Sequence, residues 1–123
     1  METVKRFEDL IVWQKSIMLV KEVFVLTDEF PTSEKFGITS QIRRTAVSIP
    51  SNIAEAYGRR SIRSSSSFYS ISFGSALELE TQLIISRELK LTTIDKFEKS
   101  DELLLEVLKM LNKITAQFKI KSL

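Results

Sequence analysis

Residues 8–29 read EDLIVWQKSIMLVKEVFVLTDE, and the spacing of their apolar positions decides the fold class. Leu10, Trp13, Ile17, Val20 and Phe24 recur three and four apart, the period that places side chains on one face of an α-helix. Beside that stripe run Val12, Leu19, Val23 and Leu26, and a third row holds Ile11, Met18 and Val25. A helix that buries one face in a core needs about three apolar positions per two turns. This one carries more, so either it is central to its bundle or its surplus meets another subunit. Ile11, Met18, Val25 and Trp13 are the residues expected at such an oligomer interface. Trp13 is expected to be a packing anchor and not a base-stacking platform, because aliphatic side chains flank it on both sides.

Working outward, Phe30-Pro31-Thr32-Ser33 ends this helix, since the residue before a proline is pushed out of the α region. Gly37 marks a turn, with Thr39 or Ser40 as N-cap of a second helix that runs to about Tyr57 and closes on Gly58. Pro50 falls inside it, removing one backbone donor and crowding the carbonyl four residues back, which predicts a kink over Ala46–Pro50. Ser48, Ser51 and Asn52 stand near the freed groups, and Gln41, Asn52 and Glu55 suit a buried hydrogen-bond network around the kink. The run Ser61 to Ser67 reads as a polar turn, and any of its serines could cap the helix that follows. A third helix then spans roughly Ser66 to Leu89, with Phe68, Ser72, Ser75, Leu79 and Leu83 on one face. Gly74 in its middle costs about 1 kcal/mol relative to alanine, which a closely packed neighbour would offset. After Lys90–Thr93, a fourth helix from about Ile94 to Phe118 carries Phe97, Leu104, Val107, Leu111, Ile114 and Phe118 as its stripe. Short connections make successive helices antiparallel. The expected structure is all-α: an antiparallel up-and-down four-helix bundle, kinked at Pro50, in one domain over 1–123.

Composition narrows the chemistry. With 123 residues, 43% hydrophobic and 28% charged, the chain has the make-up of a soluble globular domain that needs no metal or disulfide staple. It contains no histidine and no cysteine, so the commonest general base, thiol nucleophiles and the usual zinc ligands are missing. Its three glycines (Gly37, Gly58, Gly74) cannot form a phosphate loop or a dinucleotide fingerprint. Glu78 and Glu80, two apart on a helix, point to different faces and make no carboxylate pair. The expectation is a protein without catalysis, cofactor or metal. No apolar run approaches the eighteen or so residues of a membrane span, and Met1–Asp9 lacks the apolar stretch of a leader. The expected address is the cytoplasm.

The formal net charge is only +2, but its distribution is uneven. Arg43, Arg44, Arg59, Arg60 and Arg63 crowd a segment whose only acid is Glu55. Arg59, Arg60 and Arg63 lie at or beyond the end of helix two, where cations complement the helix dipole. Arg43 and Arg44 fall in its opening turns, where the dipole disfavours them. They need either an acid on a neighbouring helix, such as Glu78 or Glu80, or an external phosphate. On a straight helix the two groups stand about 24 Å apart, two patches and not one. The charges of helix four read as a solvated face.

Three segments, residues 7–14 (FEDLIVWQ), 41–55 (QIRRTAVSIPSNIAE) and 74–83 (GSALELETQL), resemble the bacterial four-helix bundle proteins first noticed as products of intervening sequences in 23S rRNA genes. The resemblance spans nearly the whole chain. It departs at Ala56, where the family usually has glycine, and in the serine stretch, where the family commonly has an acid. It implies a bundle that assembles as a homopentamer. A related branch, the accessory variability proteins of diversity-generating retroelements, forms a basic barrel that binds a reverse transcriptase and nucleic acid. By that similarity Arg43 and Arg44 are where contact with RNA or a reverse-transcriptase-like protein is sought.

The resulting expectation is a homo-oligomeric helical scaffold that binds RNA or a ribonucleoprotein through Arg43, Arg44, Arg59, Arg60 and Arg63. The alternative is a protein–protein adaptor whose arginines are structural. Neither involves a membrane.

Overall fold

Among residues 3–121, those described by a computed structural model, the chain forms four α-helices and no strand. They are α1 (Ile11–Asp28), α2 (Ile38–Tyr57), α3 (Ile62–Glu88) and α4 (Glu98–Lys121), with 3-10 turns at Phe7–Asp9, Thr32–Glu34 and Ile94–Phe97. Each helix packs on its chain neighbour and α4 returns to α1, so α1 and α3 stand on one diagonal of an up-and-down four-helix bundle. No helix among the described residues is long and apolar enough to cross a membrane.

The stripes sort by depth. Val12, Leu19, Val23 and Leu26, the second row of α1, are the buried one. They meet Ile42, Ala46, Ile49 and Ile53 of α2, Ala76, Leu79 and Leu83 of α3, and Leu104, Val107 and Leu111 of α4, with Phe97 beside them. The first row is shallower: Trp13, Ile17 and Val20 are half-buried along the α1–α2 seam, and Phe24 is exposed. The third row, Ile11, Met18 and Val25, lies wholly on the outside. A nearly all-apolar α1 therefore spends one row on the core, one on the seam and leaves one bare.

Pro50 is buried and α2 stays helical across it. Side chains bond to carbonyls on either side of the one that the proline frees: Ser48 donates to Thr45, Ser51 to Val47 and Asn52 to Ser48. The wider network expected here is not formed. Gln41 is exposed, and Glu55 points outward to pair with Arg59. Thr39 and Ser40 are not caps either. Gly37 is the N-cap, and the Thr39 hydroxyl is buried without a partner.

The largest departure is in α3. Its serine run is helical from Ile62 onward, because Ser61 caps it by accepting a hydrogen bond from the Ser64 amide at 3.1 Å. Gly74, expected beneath a close neighbour, is exposed, and a Cβ there would meet nothing within 4 Å. The close approach occurs instead at Ser72, two residues earlier and so about 200° around the helix. Ser72 is fully buried and donates to the Ile49 carbonyl of α2 at 2.9 Å. Helix α3 ends with Lys90 at φ 55°, in the left-handed region, while the Leu91 amide reaches back to the Ser86 carbonyl. The predicted start of helix four at Ile94 proves to be a 3-10 turn, and α4 proper begins at Glu98.

Candidate nucleic-acid interface

The five arginines fall into two very different environments. Arg43 leaves α2 toward the last turn of α1. Its Nε donates to the Thr27 hydroxyl at 2.8 Å and its Nη2 to Asp28 at 2.8 Å. The guanidinium also lies 4.6 Å from the centre of the Phe24 ring and reaches the Phe24 carbonyl. The acid that partners it is therefore Asp28, not Glu78 or Glu80, both of which are exposed on α3. A cation ill-placed for the dipole of α2 is well placed for the C-terminus of α1, which runs the opposite way. Arg44 is exposed and, among the described residues, donates only to Ser40, at 3.2 Å.

Arg59 is also engaged, pairing with Glu55 at 2.8 Å and stacking 4.3 Å above the Phe68 ring. Arg60 and Arg63 are exposed and form no ion pair or hydrogen bond among the described residues. Arg63 is not in a loop beyond α2, as its sequence position suggested. It is the second residue of α3, where the N-terminal dipole disfavours a cation. The misplaced arginine of this chain is Arg63.

Topology adds cations that the linear sequence keeps apart. The start of α1, the end of α2, the start of α3 and the end of α4 share one end of the bundle, where the Tyr69 and Phe118 rings pack 5.6 Å apart. After Glu106 the sequence has no further acid, while Lys109, Lys113 and Lys119 follow. Between α3 and α4 a groove of about 350 Å³, lined by Ser66, Ser70, Asn112, Thr115 and Lys119, opens near this end. The opposite end mixes Asp28, Glu29, Glu34, Asp95, Asp101 and Glu102 with Lys35, Lys90, Lys96 and Lys99, so the excess of cations lies at the first end, beside its few acids Glu8, Asp9 and Glu55. The signal that would have found this in the sequence is the acid-free stretch after Glu106, which alternation earlier in helix four obscured.

The expected interface residues sit on α1. Ile11, Met18 and Val25 are exposed, whereas Trp13 is half-buried and meets Phe7 edge-on at 5.4 Å. Trp13 also borders an apolar groove of about 300 Å³ with Ile17, Val20, Val47 and Pro50. Further along the same seam, Phe24, Arg43, Arg44 and Val47 line a second groove of about 510 Å³.

Residues 8–113 match the family model described as 23S rRNA-intervening sequence protein. The fold matches the crystal structure of a protein of unknown function from the S23 ribosomal protein family of Bacteroides thetaiotaomicron VPI-5482. That match has a TM-score of 0.78 and 25% identity, and covers 85% of this chain and 98% of that one. No curated protein matches the chain.

Proposed function

This chain belongs to the 23S rRNA-intervening sequence protein family, and on that premise we propose that it is a non-catalytic, homo-oligomeric scaffold that holds RNA at the basic end of its bundle. One observation carries the reading. Arg63 stands exposed in the first turn of α3, against the helix dipole and without an ion pair. A phosphate supplies what that position lacks, and arginine binds it through two parallel hydrogen bonds. Arg60, Lys113 and Lys119 extend the same field, and the hydroxyl- and amide-lined groove between α3 and α4 suits a sugar–phosphate backbone. Arg43 drops out of the binding set because α1 engages its Nε and Nη2 and neutralises its charge at Asp28. The scaffold is expected to act in the cytoplasm.

Binding of structured RNA should weaken steeply with salt as phosphates release counterions. An Arg60→Ala/Arg63→Ala double variant should bind far more weakly and show a shallower salt slope by about two units. Unchanged affinity and slope in that variant would sink the reading.

A second reading draws on the apolar seam between α1 and α2. The grooves beside Trp13 and Phe24 suit a helix of a protein partner, so an adaptor role has its own surface. Loss of partner capture on Val47→Glu with RNA affinity intact would favour it.

A further inference from the structure

Two apolar faces of this bundle point in opposite directions, and neither is covered among the described residues. On α1, Ile11, Met18 and Val25 are spaced by seven, form one straight row, and are 59%, 47% and 61% exposed. On α3, the exposed Ile71 and Leu77 flank Gly74, with open space above its Cα, and the exposed Ile85 lies about three turns further along the same face. The two helices are diagonal, so their outer faces look away from each other.

We propose that these faces join copies of this chain head to tail, α1 of one copy lying parallel against α3 of the next. The inference rests on the homo-oligomer reading above and names the surfaces that make the contact. Two different patches meeting head to tail give a closed ring or an open chain of copies, whereas a face that pairs with itself gives only a dimer.

The levels agree. Ile17 and Val20 of α1 abut Val47 and Pro50 of α2, and Ser72 of α3 bonds to Ile49. Met18 therefore stands at the height of Ile71–Gly74, and Val25, two turns on, at the height of Leu77–Thr81. Because α1 and α3 run in the same direction, rotation about an axis parallel to the bundle keeps those heights matched. Met18, a flexible thioether, then seats over the bare backbone of Gly74. That contact offsets the cost of a mid-helix glycine that nothing among the described residues explains. Lys21 follows Met18 by three residues and Glu78 follows Gly74 by four. Both are exposed and unpaired among the described residues, so they meet one turn beyond the contact as opposite charges. The same rotation puts the basic end of every copy on one rim, where their fields add.

The natural absence of cysteine makes the test clean. Native mass measurement of the unaltered chain comes first: a monomer would overturn the oligomer reading and this pairing with it. With a multimer established, a Met18→Cys/Gly74→Cys chain oxidised with diamide should give a ladder of cross-linked copies, and each single variant should give none. No ladder, or a cross-linked dimer from Met18→Cys alone, would overturn the pairing while leaving the oligomer intact. Independently, Met18→Glu and Gly74→Trp should each lose the multimer with helix content unchanged. Mixing the two should restore a one-to-one dimer, since each retains the face that the other lacks. Two variants that stay monomeric when mixed count against the proposal.

Discussion

Arg43 and Asp28 lie fifteen residues apart in sequence, yet the guanidinium Nη2 donates to the carboxylate at 2.8 Å and ties the start of α2 to the end of α1. The two side chains are unequally exposed, 30% for Arg43 and 77% for Asp28, so the ion pair alone contributes no more than about 1 kcal/mol. The bond to Thr27, whose own hydroxyl donates to the Val23 carbonyl, and the ring face of Phe24 are better shielded from solvent.

Arg43→Ala is accordingly expected to lower stability in urea by about 1–2 kcal/mol, through the lost hydrogen bond and cation–π contact. Arg43→Lys should recover only part of that, because an ammonium cannot reach Thr27 and Asp28 in one plane. RNA affinity should not change in either. A variant with wild-type stability and weakened RNA binding would return Arg43 to the binding surface.

The second prediction concerns Ser72. A fully buried serine between α2 and α3 lets the backbones approach and gives one hydrogen bond to Ile49. Ser72→Ala should cost about 0.5–1.5 kcal/mol for the lost bond. Ser72→Leu should cost about 1–3 kcal/mol by overpacking, although leucine is the better helix former. Chemical denaturation distinguishes the two, and a stabilised leucine variant would show that the seam is looser than described.

How far the sequence could be read follows from the same residues. Helical period placed all four helices, because periodicity reports which residues share a face. It does not report which face is innermost, so the three rows of α1 could be listed but not ranked by depth. Its small size points to Gly74 as the close contact, but Ser72 holds it, since small size matters only on the face turned inward. Arg43 looked misplaced and Arg63 well placed because only their own helix was in view. An antiparallel neighbour reversed the first judgement, and the Ser61 cap, which begins α3 four residues earlier than expected, reversed the second. The basic end was invisible because its cations come from segments some fifty residues apart, which topology alone brings together.

Lys90 offers a third prediction, this time for increased stability. Its φ of 55° closes α3, a conformation that costs a residue with a Cβ about 1–2 kcal/mol. Lys90→Gly relieves that cost but gives the unfolded chain more freedom, so a net gain of about 0.5–1 kcal/mol is expected. The side chain is exposed, which leaves little packing to lose. A lower melting temperature in Lys90→Gly would mean that Lys90 makes a compensating contact.

The last prediction is of pH dependence. Tyr69 is buried against Phe118, and burial raises its phenol above the ordinary value of 10.0, because the phenolate would have to leave water. The folded chain thus holds this proton more tightly than the unfolded chain. Its contribution to stability is complete below pH 10.0 and is lost as pH rises through the higher folded value. Tyr69→Phe keeps the ring and removes the proton, so the variant should lose less stability than the wild type between about pH 8 and about pH 11. Every other group is common to the two proteins, so the difference between their urea midpoints isolates the phenol. Equal losses would mean that the hydroxyl reaches solvent when it ionises, and that the Tyr69–Phe118 end of the bundle opens more readily than its packing implies.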